Sequence, residues 1–65
     1  MRLNLSHSSE IAERALALLK SRPMSFYEIL RALEDVEYRV ILQAWGILRE
    51  KDLLARDEEG RYLPR

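Results

Sequence analysis

Few residues in this 65-residue chain carry chemistry beyond packing, and their types limit the reactions open to it. There are no cysteines, and His7 is the only histidine. That removes thiolate nucleophiles, disulfides and Cys/His zinc sites. No nucleophile and base stand at a working spacing, no glycine loop could cradle a phosphate, and no metal-ligand spacing occurs. The expectation is a protein that is not an enzyme and needs no cofactor and no metal. His7 precedes the first helix without a partner in the sequence and is given no catalytic role. What remains is recognition by directed donors. Arg39 and Gln43 stand one helical turn apart, and Arg56 and Arg61 flank Asp57-Glu58-Glu59-Gly60. Arginine offers a rigid fork of N–H donors, and glutamine offers a donor and an acceptor side by side. Eleven basic and eleven acidic residues cancel to a formal net charge of zero. The molecule as a whole therefore has no attraction for a polyanion, and any nucleic-acid binding must come from local charge arrangement.

Those donors need elements to hold them. Ser8 and Ser9 are good N-caps, Glu10 and Glu13 suit the positive end of a helix dipole, and Ile11, Ala15, Leu18 and Leu19 repeat at helical spacing. A first helix is expected over about residues 9–21, after an extended or frayed segment through His7 carrying Leu3 and Leu5. Pro23 should end it. Ser25-Phe26-Tyr27-Glu28 has the spacing of a capping box and opens a second helix over about residues 26–33, with Phe26, Ile29, Leu30 and Leu33 inward. Asp35 is a competent N-cap for a third helix over about residues 36–51.

On that third helix, at about 100° per residue, apolar side chains cover roughly two-thirds of the wheel. Only a stripe of Arg39, Gln43, Gly46, Arg49 and Glu50 stays polar or bare. A surface helix needs an apolar arc of little more than about 100°, so the surplus, at Val40, Leu42 and Ile47, is a candidate partner interface. Trp45 falls on the core side. Gly46 costs about 1 kcal/mol against alanine in mid-helix, which a close backbone approach would explain. Beyond it, Leu53-Leu54-Ala55-Arg56 and Arg61-Tyr62-Leu63 are strand-length and are joined by turn chemistry, giving a hairpin over about residues 53–63. Alternation turns Tyr62 inward and leaves Arg56 and Arg61 outward, and Pro64 should stop the pairing.

A hydrophobic content of 48% with 34% charged residues describes one globular domain over residues 1–65, near the lower size limit for an unassisted core. No apolar stretch approaches the roughly 18 residues that would span a bilayer, and residues 1–5 are too short for a signal peptide. A cytoplasmic location is expected.

Three helices followed by a charged hairpin give a mainly α fold class with a small β-hairpin, the layout of a winged helix-turn-helix. The run from Ile47 through Arg49-Glu50-Lys51-Asp52-Leu53-Leu54 to Arg61-Tyr62-Leu63 resembles the helix-three-to-wing segment of PadR-, MarR- and ArsR-type regulators. It departs from them at Asp52, where those families usually place a glycine. Ser25-Phe26-Tyr27-Glu28-Ile29-Leu30 is similar to the start of helix two in PadR-like proteins. The resemblance covers about residues 10–63 and implies a transcription regulator that binds double-stranded DNA, acting as a homodimer. It implies that Tyr38, Arg39, Leu42, Gln43 and Gly46 face the major groove, that Arg56 and Arg61 form the wing contacts, and that Ser25 and Tyr27 ligate phosphates. In that position Arg39 suits guanine and Gln43 suits adenine.

The acids argue the other way. Glu34, Asp35 and Glu37 at the start of helix three, with Asp57, Glu58 and Glu59 at the hairpin tip, would repel the phosphates that supply most of the affinity. The alternative is a protein-protein interaction or assembly module of the same fold, which docks a protein partner through the surplus apolar face of helix three or the acidic wing and does not bind DNA.

Overall fold

The computed structural model describes residues 4–65. The first helix, α1, runs Asn4–Ser21 and so begins about five residues before the expected start. Of the segment expected to be extended or frayed, residues 1–3 lie outside the described residues, and from Asn4 onward it is helical. The reason is tertiary. The buried stripe of α1 is Ser8, Ile11, Ala12, Ala15 and Leu19, a continuous helical repeat whose first member is a serine. Ser8 is fully buried, and its Oγ donates to Gln43 Oε1 at 2.7 Å on the third helix. Packing therefore extends the helix past a residue that sequence preference alone would place at its cap.

Arg22 leaves the helical conformation ahead of Pro23, as steric crowding by the proline ring requires. The second helix, α2, runs Phe26–Ala32. Its capping box is formed in both directions: Ser25 Oγ accepts from the Glu28 N–H at 3.1 Å, and Glu28 Oε1 accepts from the Ser25 N–H at 2.9 Å. The third helix, α3, runs Tyr38–Glu50 with Glu37 in the N-cap position and no side-chain cap bond. Asp35 does not cap it. The helix starts two residues later than that role needs, and the Asp35 carboxylate is held by Arg14 of α1 at 3.2 Å. A tertiary ion pair has taken the group that local sequence assigned to a cap.

The carboxyl end of α3 closes at Asp52. Asp52 adopts φ 59, and the Leu53 N–H reaches Leu48 O at 3.0 Å while the Asp52 N–H reaches Arg49 O at 3.0 Å. These two bonds are a Schellman motif, in which aspartate fills the left-handed position usually held by glycine.

Strand β1, Leu54–Arg56, pairs antiparallel with β2, Tyr62–Pro64, in the register Leu54 to Pro64, Ala55 to Leu63 and Arg56 to Tyr62. Pro64 does not stop the pairing. The Asp57 N–H donates to Arg61 O and the Arg65 N–H to Leu53 O, which places Pro64 at a non-hydrogen-bonded position where no N–H is needed. The hairpin also reaches back to the α1–α2 connection, where Met24 and Tyr62 exchange backbone bonds of 3.0 and 2.7 Å.

The core lies between α1, α2 and α3. Ile29 and Leu33 are almost wholly enclosed, and Ile41, Ala44, Trp45 and Leu48 form the inner face of α3. Trp45 meets Phe26 at 5.1 Å and Tyr62 at 5.0 Å between ring centroids, both edge-on. One side chain thus ties α3 to α2 and to the hairpin. The result is a mainly helical domain with a small antiparallel hairpin, the general arrangement of a winged helix. No helix among the described residues is long and apolar enough to cross a membrane.

Candidate nucleic-acid interface

With Ile41, Ala44, Trp45 and Leu48 turned inward, α3 leaves one sector exposed: Tyr38, Arg39, Leu42, Gln43, Gly46, Arg49 and Glu50. Every groove-facing position implied by the resemblance lies in that sector. Tyr38 and Leu42 are 57% and 45% exposed, which makes them the apolar edge of the stripe. Val40 and Ile47, the other candidate interface positions, are half-buried against the core, so Leu42 is the member of that set that stands fully on the surface.

Gly46 has no neighbour inside the chain that would require it. A Cβ built there meets nothing within 4 Å. Gly46→Ala is therefore expected to stabilise the free protein by about 1 kcal/mol through helix propensity alone. Urea denaturation checks this, and a loss of stability would show a constraint at that position that the fold does not contain.

The charges on this surface are sorted by their pairing. At the hairpin tip Asp57 Oδ1 accepts from the backbone N–H groups of Glu59 and Arg61, both at 2.9 Å, and the Arg61 guanidinium bonds the carboxylates of Asp57 and Glu59. Asp35 is held by Arg14, and Asp52 is bonded by Arg65 at 3.0 Å. Three of the six acids expected to repel a polyanion, Asp35, Asp57 and Glu59, are thus matched by cations, whereas Glu34, Glu37 and Glu58 make no ion pair among the described residues. Arg61, expected as an outward wing contact, is engaged by the turn that it stabilises.

Among the described residues, Arg39, Arg49 and Arg56 make no ion pair with an acid. Arg56 sits across the hairpin from Tyr62 and, being its cross-strand partner, lies on the same sheet face rather than the opposite one. Its guanidinium lies 5.0 Å from the centre of the Tyr62 ring, a contact of the cation–π type. Arg49 and Arg56 line one cleft between the end of α3 and β1, together with Asp52 and Tyr62. Arg49 was not picked out as a contact by sequence, although it belongs to the same polar stripe as Arg39. The signal lay in the fold, which brings the wing beside it.

The remaining candidates are occupied locally. Ser25 is committed to the capping box. Tyr27 is 64% exposed, and its hydroxyl accepts from Arg31 Nη1 at 3.2 Å. Gln43 uses Oε1 as the acceptor for Ser8, which anchors the side chain and leaves its amide N–H groups directed elsewhere. Glu37 and Glu50 remain at the two ends of the stripe without a counter-cation among the described residues.

The tip has a defined pH response. The Arg61 N–H first, then the Glu59 N–H and the Arg61 charge, hold the Asp57 carboxyl below its ordinary value, with partial desolvation opposing them. A carboxylate with a depressed folded pKa stabilises the fold above its unfolded pKa and loses that contribution as pH falls through the folded value. The loss runs from the ordinary carboxylate range down through the folded value. Asp57→Asn is expected to flatten the decline of stability in that acid range, as measured by urea denaturation at stepped pH. An unchanged decline would contradict the role of the Asp57 charge.

Among the described residues no cluster of His, Cys, Asp or Glu could hold a metal ion. No family model matches the sequence, and neither a curated protein nor a solved structure matches it.

Proposed function

We propose that this domain is a duplex-DNA-binding module of the winged-helix regulator type, related in design to the PadR, MarR and ArsR groups, that works as a dimer. Its exposed α3 stripe enters the major groove while the α3–wing cleft lies against the backbone. The observation that carries this reading is the pairing pattern. Among the described residues Arg39, Arg49 and Arg56 make no ion pair, whereas Asp35, Asp57 and Glu59 are matched by arginines. Arg39 and Gln43 supply the directed contacts to base edges, with the Ser8 bond holding Gln43 in place. Gly46 lets a sugar-phosphate or base edge approach the helix backbone.

The same pattern bounds the affinity. Arg49 and Arg56, opposed by Glu34, Glu37, Glu50 and Glu58, neutralise about two phosphates per protomer and about four in a dimer. The dependence of log K on log salt should then be about −3.6 for the dimer, or about 150-fold between roughly 50 and 200 mM salt. Anisotropy titration of a labelled random duplex across that range tests it. Binding that weakens with this slope supports the reading, and absence of binding at low salt for every duplex tried overturns it.

A second reading rests on Tyr38 and Leu42, two apolar side chains four apart on the exposed stripe. As the anchors of a protein-interaction or assembly module, they would insert into a groove on a protein partner. That association would resist salt and be lost on Leu42→Glu, whereas a complex indifferent to this substitution would rule it out.

A further inference from the structure

We propose that a second copy of this chain docks into the groove between α1 and the α3-to-β1 turn, forming a two-fold dimer held by reciprocal Glu13–Lys51 pairs. The groove is lined by Leu16, Ile47 and Leu53, with Glu13 on the α1 side and Lys51 at the end of α3. The inference rests on the dimeric part of the proposed function and is independent of its DNA part.

Leu53 is the centre of the argument. Strand alternation commits Leu54 to the core, so its neighbour Leu53 must turn the other way, and it stays 36% exposed. Its backbone is fixed on both sides: its N–H is bonded to Leu48 O at 3.0 Å, and its carbonyl accepts from the Arg65 N–H at 2.9 Å. A large apolar side chain is thus held outside the core on a fixed backbone, and a docking partner meets little backbone ordering cost there. Leu16 and Ile47 are half-buried and widen the apolar floor.

Charge selects the occupant. Glu13 and Lys51 are exposed, opposite in sign, and without an ion pair among the described residues. A surface carrying one acid and one base on a single groove is its own complement under a two-fold axis, because both pairs form at once. At about 100° per residue, Ile47 lies about 80° around α3 from Arg39 and about 40° from Gln43, so the groove borders the recognition stripe, and none of Arg39, Arg49 and Arg56 lines it. A groove lined by eight residues is smaller than the roughly 20–30 residues a side of a standard stable interface. The dimer is therefore concentration-dependent.

Sedimentation equilibrium over a range of concentrations tests the proposal, with far-UV circular dichroism confirming that each variant is folded. The wild-type mass should rise toward twice 7.7 kDa. Glu13→Lys or Lys51→Glu alone sets like charges together and should weaken association about tenfold or more, Leu53→Ser should abolish it, and the double reversal should restore it to within about threefold. A protein monomeric to about 0.1 mM, or a dimer indifferent to all of these variants, overturns the proposal. Duplex binding measured on the same samples separates the two ideas. Dimer without DNA binding retains this surface and refutes the DNA reading, and DNA binding by a protein that stays monomeric does the reverse.

Discussion

Replacing Arg39, Arg49 and Arg56 together with alanine should abolish duplex binding while leaving the fold intact. Each lacks an acidic partner among the described residues, so removing its charge strands no carboxylate and breaks no intramolecular ion pair. Loss of Arg49 or of Arg56 should each lower the dimer's salt slope by about 1.8, Arg39→Ala should weaken binding to the preferred sequence with little change of slope, and the triple variant should show almost no slope because about four phosphate contacts are gone. Arg61→Ala should behave differently. Its guanidinium is engaged by Asp57 and Glu59, so removing it loosens the turn and exposes two uncompensated acids, which disfavours a polyanion without deleting a phosphate contact. If single losses of Arg49 and Arg56 leave both affinity and slope unchanged, the α3–wing cleft is not part of the interface.

The largest expected loss of stability comes from Trp45→Ala. The indole is 7% exposed and makes edge contacts with both Phe26 and Tyr62. Truncating a buried aromatic costs about 3–5 kcal/mol, set against a whole-domain stability of about 3–10 kcal/mol for a chain this size. The variant should lose a large fraction of the domain's stability, and at the lower end of that range it should be largely unfolded at room temperature. Trp45→Phe, which keeps most of the ring, should fall between it and wild type. Urea denaturation followed by far-UV circular dichroism measures the difference. A cost below about 1 kcal/mol would mean that the indole is not the junction between helix and hairpin.

What the sequence discloses and what it conceals divides along the range of the forces involved. The α2 start is local: serine and glutamate three apart complete each other's backbone bonds, so the capping box is readable from four letters. The inner face of α3 is periodic, and Ile41, Ala44, Trp45 and Leu48 follow from spacing. The α1 start is not local. Ser8 has the chemistry of a cap but is buried and bonded to Gln43, 35 residues away, so only the assembled fold shows that the helix continues past it. Asp35 misleads for the same reason, since its partner is Arg14. Pro64 depends on hairpin register, because the same residue ends a strand or sits harmlessly in it according to which side its missing N–H would face.

For the candidate site, exposure of the α3 stripe was legible and its electrostatics were not. A charge count gives zero, and the acids at the wing tip look decisive against a polyanion. Pairing changes that balance: Arg61 is consumed with Asp57 and Glu59, Arg56 turns to the Tyr62 face, and Arg49 joins it in the cleft. None of these relations follows from spacing, because each depends on how the hairpin folds against the end of α3.

The central claim is that one face, the exposed α3 stripe with the adjoining wing cleft, meets duplex DNA. The most direct measurement is a two-dimensional amide NMR titration of the labelled protein with a short duplex at low salt. Shifts should concentrate at Tyr38, Arg39, Leu42, Gln43, Gly46, Arg49 and Arg56, while amides around Glu13 and Leu16 on α1 remain still. A spectrum unmoved by every duplex, or one whose shifts gather on α1 and spare this stripe, would contradict the account.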